Sequence, residues 1–447
     1  MSSRADAAGV EVGLVGMDVG TTRVKAVAFD LSGRPLLTSD VPTPWQHTAA
    51  GVEMDAADLA VAIRTVVTRA CAPLRQVAGL GVTGMGESGI LTVGTGADPD
   101  EAALAPIRAW HDLRGDVAAI ETAVGRTAFE SAIGMPLDPQ PSLPKVLTLR
   151  VDYPESAAAQ RFWSVPEWAV RLLGGSPGSE LSLASRTGLL DVLDAAPWAG
   201  AIELLGADLL GEPQPAGTSC GQALGLAEAP QLRGAVLAVG GHDHQCAALA
   251  VGAAQHGTLF DSLGTAEALL RFADAATIRR EAIPALTAAG LTVGRTVVAG
   301  QVCILAGLRT GMELERVVAA LGATTRELRR ALAGRPEWAH AVQHAIDGAA
   351  TALAAIEVAA GEYSSVLAAG GWLHDPVVLA AKQAQLPGLR TTSLDEAGAA
   401  GAAYLAGIAA GLLPPVEDLD GPPWALTRHT SPIDPITLAS SNREAPR

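Results

Sequence analysis

The residues whose types and spacing can do chemistry gather in a few short segments. Gly240-Gly241-His242-Asp243-His244 follows an apolar run, Ala235–Val239. An Asp at a strand end, facing a cleft, can take the proton of an attacking hydroxyl, as carboxylates do in phosphoryl transfer. His242 and His244 flank it at His-x-His spacing, so the same residues also read as a metal pair with Asp243 as third ligand or base. A loop with surface histidines is the plainest alternative, and the remaining His and Asp residues show no spacing that would complete a metal site. Near the start, Val12–Met17 runs into Asp18-Val19-Gly20-Thr21-Thr22. Gly lets the backbone approach a ligand closely, and successive N–H groups then face one concavity and bind phosphate oxygens. Thr21 and Thr22 add hydroxyl donors. Asp18 can orient Mg²⁺ through water, because hard cations prefer oxygen ligands, and Lys25 can neutralise charge nearby. The pattern returns at Asp261-Ser262-Leu263-Gly264-Thr265. One such turn is an ordinary hairpin; two, each between apolar strands and about a domain apart, suggest a duplicated architecture with two loops facing one cleft.

Other segments carry weaker signals. Gly84-x-Gly86-x-x-Gly89 matches the dinucleotide fingerprint by letter, but that site needs a helix after the glycines and Ile90–Val93 reads as a strand. Glu87 in this stretch, after Met85, can accept hydrogen bonds from substrate hydroxyls, or be a solvated turn carboxylate. Trp110 offers a flat apolar face suited to the C–H face of a sugar, and Asp112 is either a ligand or a helix N-cap. Gly370-Gly371 ends a strand before a helix at Pro376, a place where a flat base or ribose can lie against backbone; a plain turn fits equally.

The elements that position these residues are legible in outline. Val12–Met17, Val24–Phe29 and Pro35–Val41 form an antiparallel meander, followed by a helix over Ala56–Ala70 capped by Asp55 and a strand near Leu80–Thr83. Residues 211–235, rich in Pro and Gly, read as the boundary between a unit over 1–230 and one over 231–447. In the second half the spacing predicts helices over Leu321–Leu332, Ala339–Ala360 and Pro376–Gln385. A last Ala/Gly-rich helix, Glu396–Ala410, should pack very closely against a neighbour. The 447 residues are 49% hydrophobic and 17% charged, which excludes an intrinsically disordered chain. A formal net charge of −16 argues against a general nucleic-acid binder. No apolar stretch is long enough for a membrane span, and the first residues lack the apolar core of a signal peptide. The 4 scattered cysteines fit a reducing cytoplasm.

Taken in order, Gly16–Lys25, Gly81–Gly84, Ala109–Arg114, Ala184–Gly188, Gly240–Asp243, Ser262–Thr265, Gly370-Gly371 and Glu396–Gly401 resemble the motifs of the FGGY family of carbohydrate kinases, over roughly residues 12–410. The resemblance implies a two-domain α/β fold, actin-like, a duplicated ribonuclease-H-like ATPase architecture with ATP in the interdomain cleft and the sugar deep on the first domain. By family pattern Asp243 matches the catalytic base and Asp18 the carboxylate at the Mg²⁺–ATP site. Gly20-Thr21-Thr22 with Lys25 nearby, and Gly264-Thr265, match the phosphate loops; Gly370 and Gly371 match the adenosine region. Met85, Glu87, Trp110 and Asp112 fall where relatives contact the sugar. There are departures. Xylulokinases typically show Gln-Met-His where this chain has Met85-Gly86-Glu87; glycerol kinases have Gln-Arg-Glu, so the Glu agrees and the Arg is missing. The expected activity is ATP-dependent phosphorylation of a primary hydroxyl of a small sugar, a ketose first, with a polyol or sugar acid as alternative substrates. Further alternatives are a metal-dependent hydrolase on His242-Asp243-His244 and a non-catalytic nucleotide sensor. Partners are the sugar and ATP, without nucleic acid or membrane; a homodimer stays open.

Overall fold

The computed structural model describes residues 10–94, 102–323, 328, 331–392, 394–419, 422–424 and 429–430. Strands β1 (Val10–Val19), β2 (Arg23–Asp30) and β3 (Pro35–Pro42) form the expected meander. Helix α1 (Ala56–Ala70) begins where the Asp55 carboxylate accepts the Ala57 N–H at 2.8 Å, and its apolar stripe, Leu59, Ile63, Val66 and Val67, is buried. Strand β4 (Leu74–Gly84) then pairs parallel to β1. After an excursion through residues 85–218 the chain returns as β5 (Ser219–Gln222) and β6 (Val236–His242), completing a sheet of order β5-β6-β4-β1-β2-β3. The segment read as a boundary therefore runs between neighbouring strands of one sheet: β6, beyond residue 230, pairs parallel to β4. Helix α2 (Asp243–Ala250) leaves directly from its end.

The second sheet contains β7 (Thr258–Leu263), β8 (Glu267–Asp274), β9 (Leu291–Arg295), β10 (Gln301–Leu308), β11 (Ser365–Ala369) and β12 (Arg390–Thr392), in the order β9-β10-β8-β7-β11-β12, with His429–Thr430 beyond β12. Its plan repeats the first. β7 and β8 are an antiparallel hairpin like β1 and β2, β10 continues antiparallel as β3 does, and β11 lies parallel to β7 as β4 does to β1. Each Gly-Thr turn joins the first two strands of its sheet, so the echo in the sequence is a duplication of architecture.

Other expectations shift. The helix foreseen over Ala339–Ala360 is two, Pro336–Asp347 and Ala350–Ala360, broken at Gly348. The one foreseen over Leu321–Leu332 lies partly outside the described residues; the helix before it, Thr310–Ala320, ends short of that range. Asp112 caps nothing, because the following helix starts at Val117 and Asp116 caps it, accepting from Ala119 N–H at 2.9 Å. No helix among the described residues is long and apolar enough to cross a membrane, and all 4 cysteines are buried and unpaired.

Helix α3 (Ala397–Ala409) lies on β1, β4, β6 and α2. It approaches so closely that glycines replace side chains at the seam. A Cβ at Gly16 would sit 1.8 Å from the Ala399 carbonyl oxygen, and one at Gly81 would sit 1.9 Å from that of Ala402. From the helix side, a Cβ at Gly401 would meet the Cys246 carbonyl at 2.1 Å. These are backbone contacts that cannot move aside alone. Gly81→Ala should therefore destabilise by about 1–3 kcal/mol, read as a lower denaturation midpoint with unchanged slope; wild-type stability would show that the helix can shift freely.

Candidate active site

Two carboxylates, Asp18 and Asp243, interact at the end of the first sheet, where α2 also reaches β7. Asp18 stands on β1, opposite Lys25 across the hairpin and beside Thr83 on β4. Its Oδ1 is shielded from solvent and has no hydrogen-bond partner among the described residues. Burial first, and then the charge of Asp243, push its pKa up from 3.8 to about 8. Lys25 pulls the other way, but its ammonium is turned to Glu396, at 3.0 Å. Asp243 is the first residue of α2, and buried hydroxyls hold the segment before it. Thr83 Oγ1 donates to the Gly241 carbonyl at 2.6 Å. Ser182 Oγ accepts from His242 N–H at 2.9 Å and donates to Glu180 Oε2 at 2.6 Å. Burial pushes the Glu180 carboxyl up to about 7.

The two histidines have separate surroundings. Burial lowers the His242 pKa to about 4, so this imidazole is neutral at physiological pH. The His244 Nδ1 lies 3.1 Å from Ser262 Oγ on β7, so α2 reaches the second sheet through it. Gln245, the next residue, accepts from Val297 N–H at 3.1 Å with Oε1. Among the described residues no group of three or more His, Cys, Asp or Glu side chains is gathered to hold a metal ion. The Asp18 side suits a different ion. An unpartnered carboxylate oxygen beside a second carboxylate and a loop of hydroxyls fits a hard divalent cation that keeps several waters.

The two Gly-Thr turns are braced by their own neighbours. Thr21 is braced twice: its carbonyl accepts from Trp45 Nε1 at 2.7 Å and its hydroxyl from Trp110 Nε1 at 2.9 Å. The Gly20 carbonyl accepts from Thr43 Oγ1 at 2.8 Å, and the Thr22 carbonyl from Thr43 N–H at 3.1 Å. In the second sheet the helix starting at Thr310 presses on the turn; a Cβ at Gly311 would come 2.0 Å from the Gly264 carbonyl, next to Thr265. Gly370, at φ +129°, crosses the end of β7, where a Cβ would lie 2.1 Å from the Leu263 carbonyl. Gly371 faces open space, with nothing within 4 Å of such an atom. Beneath this turn Lys382 is buried between Asp261, at 3.0 Å, and Glu267, with which it makes a short contact.

The residues expected at the sugar fall into two groups. Met85 is buried, and its N–H donates to the Val19 carbonyl at 3.1 Å. Glu87 is buried at φ +58°, and its Oε1 accepts from Arg186 Nε at 2.8 Å and from Gln140 Nε2 at 3.2 Å. Trp110 spends its indole N–H on Thr21, which joins the expected sugar side to the first turn. Asp112 is engaged elsewhere: Val52 N–H donates to its Oδ2 at 2.7 Å and Arg114 Nε to its Oδ1 at 3.0 Å. Burial opposes the charge, but the hydrogen bonds from Arg114 and the amides bring the pKa down to about 2. Sequence reasoning missed Arg186, Lys145, Ser182, Glu180 and Gln245. The Lys145 ammonium is buried on the carbonyls of Trp110, Pro139 and Gln140, and burial lowers its pKa to about 8. The motif Ala184–Gly188 pointed at Arg186 without giving it a partner.

Two measurements test this electrostatic arrangement. Because the folded pKa of Asp18 lies above its unfolded value, the folded chain keeps a proton that the unfolded chain has released between pH 3.8 and about 8. The favourable contribution of this group is present at low pH and declines as pH rises through that window. Asp18→Asn should raise the melting temperature at pH 8 without divalent cation and flatten its fall between about pH 5 and 8; an unchanged profile would place no proton on Asp18. Lys382→Met, which leaves Asp261 and Glu267 buried and unpaired, should destabilise by about 3–5 kcal/mol; a loss below about 1 kcal/mol would show that water reaches the triad.

Residues 14–250, more than half of the chain, match the N-terminal domain of the FGGY family of carbohydrate kinases. No curated protein sequence matches. Solved structures of the same fold include a xylulose kinase from Rhodospirillum rubrum (TM-score 0.75, 20% identity, covering 96% of this chain and 95% of that one). A gluconate kinase from Lactobacillus acidophilus is similar at TM-score 0.75 and 17% identity, covering 91% of each chain. Glycerol kinase from Plasmodium falciparum with ADP matches at TM-score 0.75 and 12% identity, covering 92% of each. With its duplicated, actin-like two-domain fold, the chain belongs to the FGGY family and is an ATP-dependent carbohydrate kinase.

Proposed function

We propose that the chain transfers the γ-phosphoryl group of ATP to a primary hydroxyl of a small ketose, a pentulose or hexulose, with Asp243 as general base. The observation that carries this reading is the position of Asp243. It begins α2 in a segment fixed by Thr83 and Ser182, near enough to Asp18 to shift its pKa. In the reaction the substrate O–H proton passes to the Asp243 carboxylate. The oxygen forms a bond to the γ-phosphorus, and the bond from that phosphorus to the β-phosphate oxygen breaks, releasing ADP. The N–H groups and hydroxyls of Gly20-Thr21-Thr22 and Gly264-Thr265 face the phosphates, and Gly370-Gly371 line the adenosine side. A Mg²⁺ ion at Asp18 supplies compensation for the phosphate charge. On the sugar side Glu87 accepts a hydroxyl and Met85 and Trp110 line the pocket.

His242 is buried, its side chain 7% exposed against 25% for Asp243, so the carboxylate is the group that a ligand can reach. The metal-hydrolase reading loses support, since among the described residues no third ligand joins the His-Asp-His segment. A polyol or sugar acid is the second reading, because the structural neighbours include kinases named for glycerol and gluconate as well as xylulose.

The test is ADP release from Mg²⁺–ATP with D-xylulose, D-ribulose, D-fructose, glycerol and D-gluconate. One ketose should stand well above background. Asp243→Asn should cut its turnover by about 10²-fold or more while ATP affinity stays within a few-fold. Near-normal turnover in that variant overturns Asp243 as base; activity confined to glycerol or gluconate overturns the ketose.

A further inference from the structure

We infer that Arg186 is a positioning residue that aims Glu87 at the sugar and ties it to the second domain. The proposal rests on the reading of Glu87 as a sugar-hydroxyl acceptor. Glu87 is a buried carboxylate on a non-glycine residue at φ +58°, a backbone conformation that persists only when its surroundings impose it. The surroundings are the Arg186 fork. Nε donates to Glu87 Oε1 at 2.8 Å and Nη2 to the same oxygen at 2.5 Å. Gln140 Nε2 adds a third donor to Oε1 at 3.2 Å, and Ser142 Oγ holds the Glu87 carbonyl at 2.9 Å. No hydrogen bond from the described residues reaches Oε2, so the oxygen available to a ligand is the one the fork leaves over.

The remaining arm of the guanidinium points across the domain contact. Arg186 Nη1 donates to Thr292 Oγ1 at 2.9 Å, and Thr292 stands on β9 of the second sheet. The contact is local and specific. Ser185 Oγ accepts from Arg295 N–H at 2.8 Å, and the Gly134 carbonyl accepts from Val293 N–H at 2.7 Å, so β9 is seated against this segment by its own backbone. Close packing leaves the guanidinium little room: a Cβ at Gly86 would touch Arg186 Cγ and His242 Cδ2, both at 3.0 Å. One rigid planar group thus serves Glu87 on one side and β9 on the other. Separating β9 from Ser185–Arg186 removes one of its partners, so the geometry that presents Glu87 is completed only with the domains together. A lysine has a single point of charge and cannot span both partners.

The experiment measures sugar KM, ATP KM and kcat separately for Arg186→Met, Arg186→Lys, Thr292→Val and Glu87→Gln, using the panel sugar of highest kcat/KM. Arg186→Met should raise sugar KM by about 10- to 100-fold, with ATP KM within about twofold, because hydrogen bonds to charged groups are lost at one substrate only. Arg186→Lys should fail to restore it. Thr292→Val, which removes one hydroxyl and keeps the fold if Arg186→Met does not, should raise sugar KM by about 3- to 10-fold. Hydrogen exchange across residues 291–295 of the sugar-free protein should quicken in Arg186→Met and Thr292→Val but not in Glu87→Gln. A wild-type sugar KM in Arg186→Met or Thr292→Val, rescue by Lys, or unchanged exchange overturns the proposal. A wild-type sugar KM in Glu87→Gln instead removes the reading on which it rests.

Discussion

The rest of the molecule depends on the seating of helix α3 against the first sheet. Contact there is backbone to backbone, Gly16 on Ala399 and Gly81 on Ala402, with α2 meeting the same helix at Gly401. Dispersion forces and hard-sphere repulsion act between atoms that have no rotamers, so the fit has one solution. Its consequences reach the chemistry. The residue before the helix, Glu396, takes the Lys25 ammonium, and Gly398 passes Asp18 so closely that a Cβ would lie 3.2 Å from its Oδ2. A segment from the last part of the chain therefore fixes the surroundings of a carboxylate from its start. Through Cys246 it also fixes the helix that begins at Asp243.

The two halves share a plan but not an electrostatic solution. When the Gly-Thr turns are superposed in sequence, Ser262 stands where the first half has Asp18. The second half carries its acids one position earlier and just after the turn, as Asp261 and Glu267, and cancels much of their charge with Lys382. Burial of an acid is tolerable there because a cation was folded in with it. At Asp18 the nearest cation is committed to Glu396, and an oxygen is left unpartnered. Under the proposed reading a Mg²⁺ ion would go to the half that has not supplied its own cation. Duplication gives two turns of one plan; the changes at Asp261, Ser262, Glu267 and Lys382 give them different charge surroundings.

Much of this was legible because the early elements obey local rules. Val12–Met17 is buried on both faces and reads as an unbroken apolar run, while Asp55 with its apolar stripe marks the limits of α1. The helix break at Gly348 was hidden, because Val342, Ala345 and Ile346 before it and Ala352, Leu353 and Ile356 after it keep one helical spacing. Near residue 230 the local signal has two readings, because Pro and Gly mark a tight return to a sheet edge as readily as a linker. At the site, what local sequence could not show was partnership. Arg186 finds Glu87 across 99 residues, and Asp112 owes its low pKa to Arg114 and to an amide from Val52. Motifs named the residues; only the fold says which are already occupied.

Occupancy also orders the proposed reaction. Asp18 and Asp243 are close enough for one charge to raise the pKa of the other, and Glu396 adds to the same field. A bare triphosphate entering this cleft would meet the Asp243 and Glu396 carboxylates, while the proton that Asp18 keeps below about pH 8 removes a third charge. Under the proposed reading a Mg²⁺ ion at Asp18 would displace that proton and offset the phosphate charge. Relief of that repulsion is differential binding, available only when cation and phosphates arrive together. The sugar side works with the opposite economy. Glu87 already has its countercharge in Arg186, and under the proposed reading it would need from the ligand only a hydroxyl proton to share. Under the proposed reading one side of the cleft is completed by charge and the other by hydrogen bonds, which an uncharged sugar and a metal-bound nucleotide would satisfy together.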